Sequence, residues 1–286
     1  MKFYSRKLIL AGSSAKILVY DKEIAYDFPA EKKTAKIKEP TSTILSPEEI
    51  TNRSKTQIRR KVRSNAWQHI NPKNGKPYLP QFFTLTFNYE STTFDESHPA
   101  FRNFIRKLGR SIEHKILYLC VPEFQKDIDF FGNIKPNGGN VHYHVLIFNL
   151  PYIKNIKTEI EKIWGNGFIK GRSFNDATHA ANYVCKYIGK ELDNKHIKFR
   201  ERYFCSKHLL KQKEFKNPDY VDPYAKFLLE HPSAVIGQIK KYKNNFGIDI
   251  TEQSIEFPNG FNLDNELVKN CLMDTEMLAK KIFGVK

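Results

Sequence analysis

Val141–Phe148 reads VHYHVLIF. Side chains two apart on a strand share a face, so His142 and His144 project together while Tyr143, Val145 and Ile147 turn the other way, toward a core. The run is short, rich in aromatic and β-branched residues, and predicts a strand. Just upstream, Ile116–Val121 is an apolar run of strand length that closes on Pro122 and Glu123. A connection with Gly132, Pro136, Gly138 and Gly139 separates the two, so they read as a hairpin with a long link. The hairpin places Glu123 on the strand next to the histidines.

Outward from the hairpin, strands and helices alternate. Phe82–Phe87, FFTLTF, predicts a strand. Pro99–Ile112 predicts a helix, with Phe101, Phe104, Ile105, Leu108 and Ile112 at helical spacing. Ile153–Trp164 is amphipathic and stops at Gly165 and Gly167. Phe168 and Ile169 read as strand, and Asn175 or Asp176 caps a further helix running to about Gly189. Residues 53–68 read as a basic helix, with Ile58, Val62 and Trp67 available to a core. Hairpins among the helices indicate an α+β domain on an antiparallel sheet. Three segments are expected: strands and linker over 1–52, the main domain over 53–215, and a mostly helical extension over 216–286.

Two imidazoles and a carboxylate suit a divalent cation, Mn²⁺ well and Mg²⁺ acceptably. An HxH pair arises by chance roughly 0.3 times in a chain of this length with nine histidines, so it gains meaning only from its neighbours. Such a neighbour is Asn182–Lys190, NYVCKYIGK. Residues four apart share a helix face, so Tyr183 and Tyr187 are stacked, with Lys186 at the edge and Lys190 nearly in line. Ala177, Ala181, Val184 and Ile188 form the opposite, core-facing stripe. A cation beside a phenol favours phenolate, the nucleophilic form.

The chain carries 47 Lys and Arg against 31 Asp and Glu, a net +16. Such a field attracts polyanions, phosphate backbones first among them. The excess is local: Arg53–Ala66 holds six bases and no acid, whereas Asp249 to the end holds seven acids and four bases. Arg59, Arg60, Lys61 and Arg63 therefore read as a face for a nucleic-acid backbone. Thr84 and Thr86 share a strand face and read as structural. The four cysteines are far apart with no CxxC pair, which fits a reducing cytoplasm. No run is long and apolar enough to predict a membrane span, and Leu8–Gly12 is too short and broken for a signal peptide.

FTLTF, then Glu and HxH, then YxxKY, in that order inside a basic domain, resemble the three motifs of the HUH-type rolling-circle replication initiators. The two-tyrosine form resembles the initiators of small single-stranded DNA phages and related plasmids, and Ile163–Phe168, IWGNGF, resembles what those proteins place before the tyrosine motif. The resemblance covers roughly residues 53–210. It implies a five-stranded antiparallel sheet flanked by helices, with Mg²⁺ or Mn²⁺ held by His142, His144 and Glu123. Tyr183 and Tyr187 would be nucleophiles, with Lys186 near the scissile phosphate. The expected partners are single-stranded origin DNA with its hairpin or nick site and a host polymerase. A separate host helicase is also expected, because the sequence has no P-loop. The place of action would be the cytoplasm, that of a bacterial host if the gene is viral. An HUH-type transposase shares this chemistry. A non-catalytic single-stranded nucleic-acid-binding protein would need neither metal nor Tyr183.

Overall fold

The computed structural model describes residues 2–26, 46–89, 93–125, 131–134, 139–188, 202–244 and 246–263. The chain divides into two compact units: Ser42–Lys211, the middle unit, and Met1–Thr41 with Gln212–Lys286, the flanking unit. Both are built on antiparallel sheets carrying helices, so the protein is α+β.

The middle unit has a five-stranded sheet. Its strands are β3 (Gln81–Leu85), β4 (Tyr118–Phe124), β5 (Val141–Ile147), β6 (Ile169–Ser173) and β7 (Phe204–Cys205), in the order β6-β3-β5-β4-β7. The VHYHVLI strand is thus central. Alternation divides its residues between two cores. Phe83, Leu85, Cys120, Tyr143, Val145 and Ile147 pack against Phe101, Phe104 and Leu108 of α2 (Phe94–Ser111) and against Ile160 and Trp164 of α3 (Ile156–Trp164). On the opposite face, Phe82, Leu119, Val121 and Leu146 pack against two other helices. These are α1 (Pro47–Asn65), through Ile58 and Val62, and α4 (Ala177–Ile188), through Ala180, Ala181, Val184, Cys185 and Ile188. A sheet buried on both faces explains why β4 and β5 read as near-continuous apolar runs.

Two helices start earlier than their apolar spacing predicts. α1 begins at Pro47 because Ser46 and Glu49 form a capping box with proline in the first turn. α2 begins at Phe94 through an equivalent box of Thr93 and Glu96. β7 supplies the fifth strand from a stretch that reads only as mixed and basic.

The flanking unit joins the two ends of the chain. β1 (Lys2–Ala11) and β2 (Ser14–Tyr26) form a hairpin. Its free edges are taken by β8 (Lys213–Phe215), which pairs with β1, and β11 (Asp249–Glu256), which pairs with β2. β9 (Val235–Ile236) and β10 (Lys240–Lys243) pair with β11 in turn. α5 (Pro218–Glu230) buries Val221 and Leu228 with Leu8, Leu10, Ile17 and Ile255. The described part of 216–286 therefore holds one long helix and three strands, where a mostly helical segment is expected. Ile250 and Ile255, the buried residues of β11, lie five apart, and β10 is KKYK, so neither strand shows a clean alternation. Among the described residues no helix is long and apolar enough to cross a membrane.

Candidate active site

The face of the middle sheet toward α1 and α4 carries the chemistry. Glu123 on β4 is the cross-strand partner of His142 on β5, and His144 faces Thr84 on β3. Adjacent partners bring side chains together, and one ligand atom each from Glu123, His142 and His144 lies within 4.8 Å of the others. His144 is buried at 3% exposure, while Glu123 and His142 are half-buried. The cluster therefore opens on one side.

The contacts of His144 define its orientation. Its Nδ1 lies 3.0 Å from Thr84 Oγ1, and its Nε2 lies 2.5 Å from Glu123 Oε2. With the proton on Nδ1 donating to Thr84, Nε2 turns its lone pair toward the carboxylate. Two such electron-rich atoms stay together only with positive charge between them, either a proton on Nε2 or a cation bound by both. Two imidazoles and a carboxylate, converging and partly open, fit a divalent cation.

The tyrosine helix lies directly over this cluster. Asp176 caps α4 by accepting from His179 N at 2.6 Å. The Tyr187 ring stacks on His144 at 3.6 Å between centroids and 20° between planes. Tyr183 sits 5.6 Å from Tyr187. Phe82 supports all three rings, stacked near His144 and Tyr187 and edge-on to Tyr183 at 5.0 Å. Both phenols are half-buried, against a helix back of Val184, Cys185 and Ile188 that is buried. Burial raises the Tyr187 pKa, assisted by the Tyr183 hydroxyl and the Glu123 charge and opposed by Arg172. Two cations attend Tyr183: the Arg172 guanidinium 4.7 Å from its ring centroid, and Lys186 Nζ at 5.5 Å. Lys186 is exposed.

The structure thus brings together Glu123, His142, His144, Tyr183, Tyr187 and Lys186. The basic residues of α1 divide. Arg59 Nε donates to Asn182 on α4 at 3.2 Å, and Arg63 donates to Thr178 at 3.3 Å. Arg60 is exposed and Lys61 half-buried. Lys190 lies outside the described residues. Thr86 is structural as expected: its hydroxyl donates to Phe168 O at 2.8 Å and accepts from Phe168 N at 3.1 Å. Thr84, by contrast, supports His144. Its position two residues before Thr86 in FTLTF carries the parity signal, but only the β3–β5 register reveals the partner. Arg172 and Phe82 are the other participants that the sequence reading does not name.

Residues 80–192 match a family model described as a replication-associated protein of the ORF2 type. The matched span runs from β3 through α4 and holds the whole cluster. It supports a protein of the replication-initiator kind, with a role in DNA replication. No curated protein matches the chain, and no solved structure does.

Proposed function

We propose that the protein is a metal-dependent tyrosine endonuclease that nicks and rejoins single-stranded origin DNA to begin and end rolling-circle replication. The observation that carries this reading is the stack of Tyr187 on His144, which sets a pair of phenols against a cluster of metal-ligand character. The match of the same span to a replication-associated family supports it.

Glu123, His142 and His144 would hold Mn²⁺ or Mg²⁺, with the two nitrogens favouring Mn²⁺. When bound, the ion supplies Lewis acidity toward phosphate oxygens and offsets charge developing at phosphorus. Thr84 fixes the His144 ring. Tyr183 attacks: its Oη forms a bond to phosphorus, the P–O3′ bond breaks, the phenolic proton is released and the departing oxygen is protonated. The products are a 5′-phosphotyrosine and a free 3′-OH. Arg172 and Lys186, both beside the Tyr183 ring, favour the phenolate. Tyr187 makes the second attack when the displaced strand has been copied round. Bond energy is kept in the phosphotyrosine, so rejoining needs no nucleotide. The 3′-OH serves a host polymerase, and strand separation falls to a separate helicase. The free cysteines Cys120, Cys185 and Cys205 accord with a reducing cytoplasm.

The test is incubation with single-stranded DNA carrying the nick site of the protein's own replicon, plus Mn²⁺, followed by a denaturing gel. A covalent protein–DNA band that requires metal is the expected result. Strand binding with no covalent band under any metal would favour a non-catalytic binding protein.

A further inference from the structure

β6 is the outer strand of the middle sheet, and its register extends one residue back to Phe168. Thr86 N donates to Phe168 O at 2.9 Å, in addition to the two Thr86 hydroxyl bonds. The backbone before it is equally fixed. Gly167 adopts φ 149°, and a Cβ there would fall 2.4 Å from Thr86 O, so only glycine fits. Trp164 Nε1 donates to the same Thr86 carbonyl at 2.8 Å. Yet the Phe168 ring, held by this clamp, is 69% exposed.

Parity and register say where that ring stands. Phe168, Lys170 and Arg172 alternate along one face of β6, the face that carries the metal-ligand cluster. Lys170 pairs with Thr84, which pairs with His144, so Lys170 lies two strands, roughly 10 Å, from the buried histidine. Arg172 pairs with Phe82, and its guanidinium lies over the Tyr183 ring. The register carried back one residue puts Phe168 in the row of Thr86, His142 and Glu123. Lys170 and Arg172 are exposed. A rigid exposed ring followed at two-residue steps by two cations is the arrangement that accepts stacked bases and their phosphates.

We propose that Phe168, Lys170 and Arg172 form a platform for single-stranded DNA. One base stacks on Phe168 while the adjoining phosphates meet Lys170 and Arg172. That these nucleotides flank the cleaved phosphate rests on the nickase reading; the platform itself does not. Because the backbone at Phe168 is fixed before DNA arrives, little ordering is left to oppose binding.

The experiment measures binding by the full chain of a fluorescein-labelled dT oligonucleotide of about 12 residues, and of an abasic deoxyribose-phosphate oligomer of equal length. EDTA is present, so no cleavage occurs. Phe168→Ala weakens dT binding about tenfold and leaves the abasic oligomer at the wild-type level. Phe168→Trp restores dT binding, and Phe168→Leu does not. Lys170→Ala and Arg172→Ala weaken both oligomers, and each lowers the slope of log affinity against log salt by about 0.7. The proposal is overturned if Phe168→Ala binds dT as tightly as the wild type, if it loses both oligomers equally, or if the wild type does not bind dT. Failure of the nickase reading would show instead as no covalent adduct with metal present, and would leave these binding results as they are.

Discussion

Thr84 Oγ1 lies 3.0 Å from Nδ1 of His144, its direct partner across the β3–β5 pairing. A hydroxyl at this position selects the tautomer that leaves Nε2 available as a ligand. Thr84→Val keeps the branched shape and removes the bond. We expect the fold to survive, with Mn²⁺ affinity and nicking each lowered about 10- to 100-fold. Isothermal titration with Mn²⁺ checks this; affinity equal to the wild type would show that the hydroxyl does not orient the ring.

His142→Ala and His144→Ala each remove one of the two nitrogen donors of the cluster. Both variants should lose detectable nicking and most Mn²⁺ binding, and chelation of the wild-type protein should do the same. Glu123→Gln, which keeps an oxygen and loses the charge, should retain weak binding. Persistent Mn²⁺-dependent nicking by the His142→Ala/His144→Ala double variant would place the metal elsewhere.

The tyrosines should separate by role. Tyr183→Phe deletes the attacking oxygen and should remove most covalent capture of a single-stranded substrate. Tyr187→Phe keeps the ring that stacks on His144 and should preserve the first nick while blocking release of closed circles. If either phenol can begin, each single variant will keep partial capture and only the double variant will be dead. An adduct formed by the double variant would rule out the mechanism.

Residues 216–286 hold no part of the cluster, and nicking should not need them. The sheet pairing refines how this is tested. A chain ending at Lys216 loses Val221, Leu228 and Ile255, each fully buried and worth about 1.5–3 kcal/mol, and leaves Leu8, Leu10 and Ile17 uncovered. Such a chain should aggregate. Residues 42–211 alone should fold, bind Mn²⁺ and nick single-stranded DNA; a folded 42–211 chain without nicking activity would assign the flanking unit a catalytic part.

Acid should weaken the flanking unit in a definable way. Burial alone would raise the pKa of Glu252, but pairing with Lys16 Nζ at 2.5 Å holds it below the ordinary 4.5. A lowered carboxyl contributes stability above that ordinary value and loses it as pH falls through the lowered one. Glu252→Gln should cost about 0.5–1 kcal/mol at neutral pH, given the partial exposure of the pair. Urea midpoints should show this difference vanish near pH ~3. An equal difference at both pH values would mean that shape, not charge, is what Glu252 supplies.

Some of this site is legible because its geometry is local. Alternation within VHYHVLIF is enough to separate His142 and His144 from Tyr143 and Val145, and helical spacing alone separates Tyr183 and Tyr187 from Val184 and Ile188. The approach of Glu123 to His142 depends on the register between two strands joined by a long link, and a strand ending on Glu123 supplies it by proximity in sequence. Thr84 and Arg172 act through pairings that no spacing within one segment encodes. The sheet shared by residues 2–26 and 213–256 is hidden for the same reason: its strands lie far apart along the chain, and the lysines of β10 mask any alternation.

That sheet also orders events in time. The β1–β2 hairpin is made first on the ribosome, but the strands that cover its two edges, β8 and β11, come only after the whole middle unit has been synthesised. At about 5–20 residues per second, the hairpin waits roughly ten to forty seconds with both edges open. Unpaired strand edges recruit other strands, so nascent chains on one message are exposed to one another throughout that interval. The middle unit, whose strands all lie between the two halves, can finish folding inside it. Activity would therefore be acquired before the flanking unit closes, and the yield of intact protein would be set by how well those two edges are kept apart until the last strand arrives.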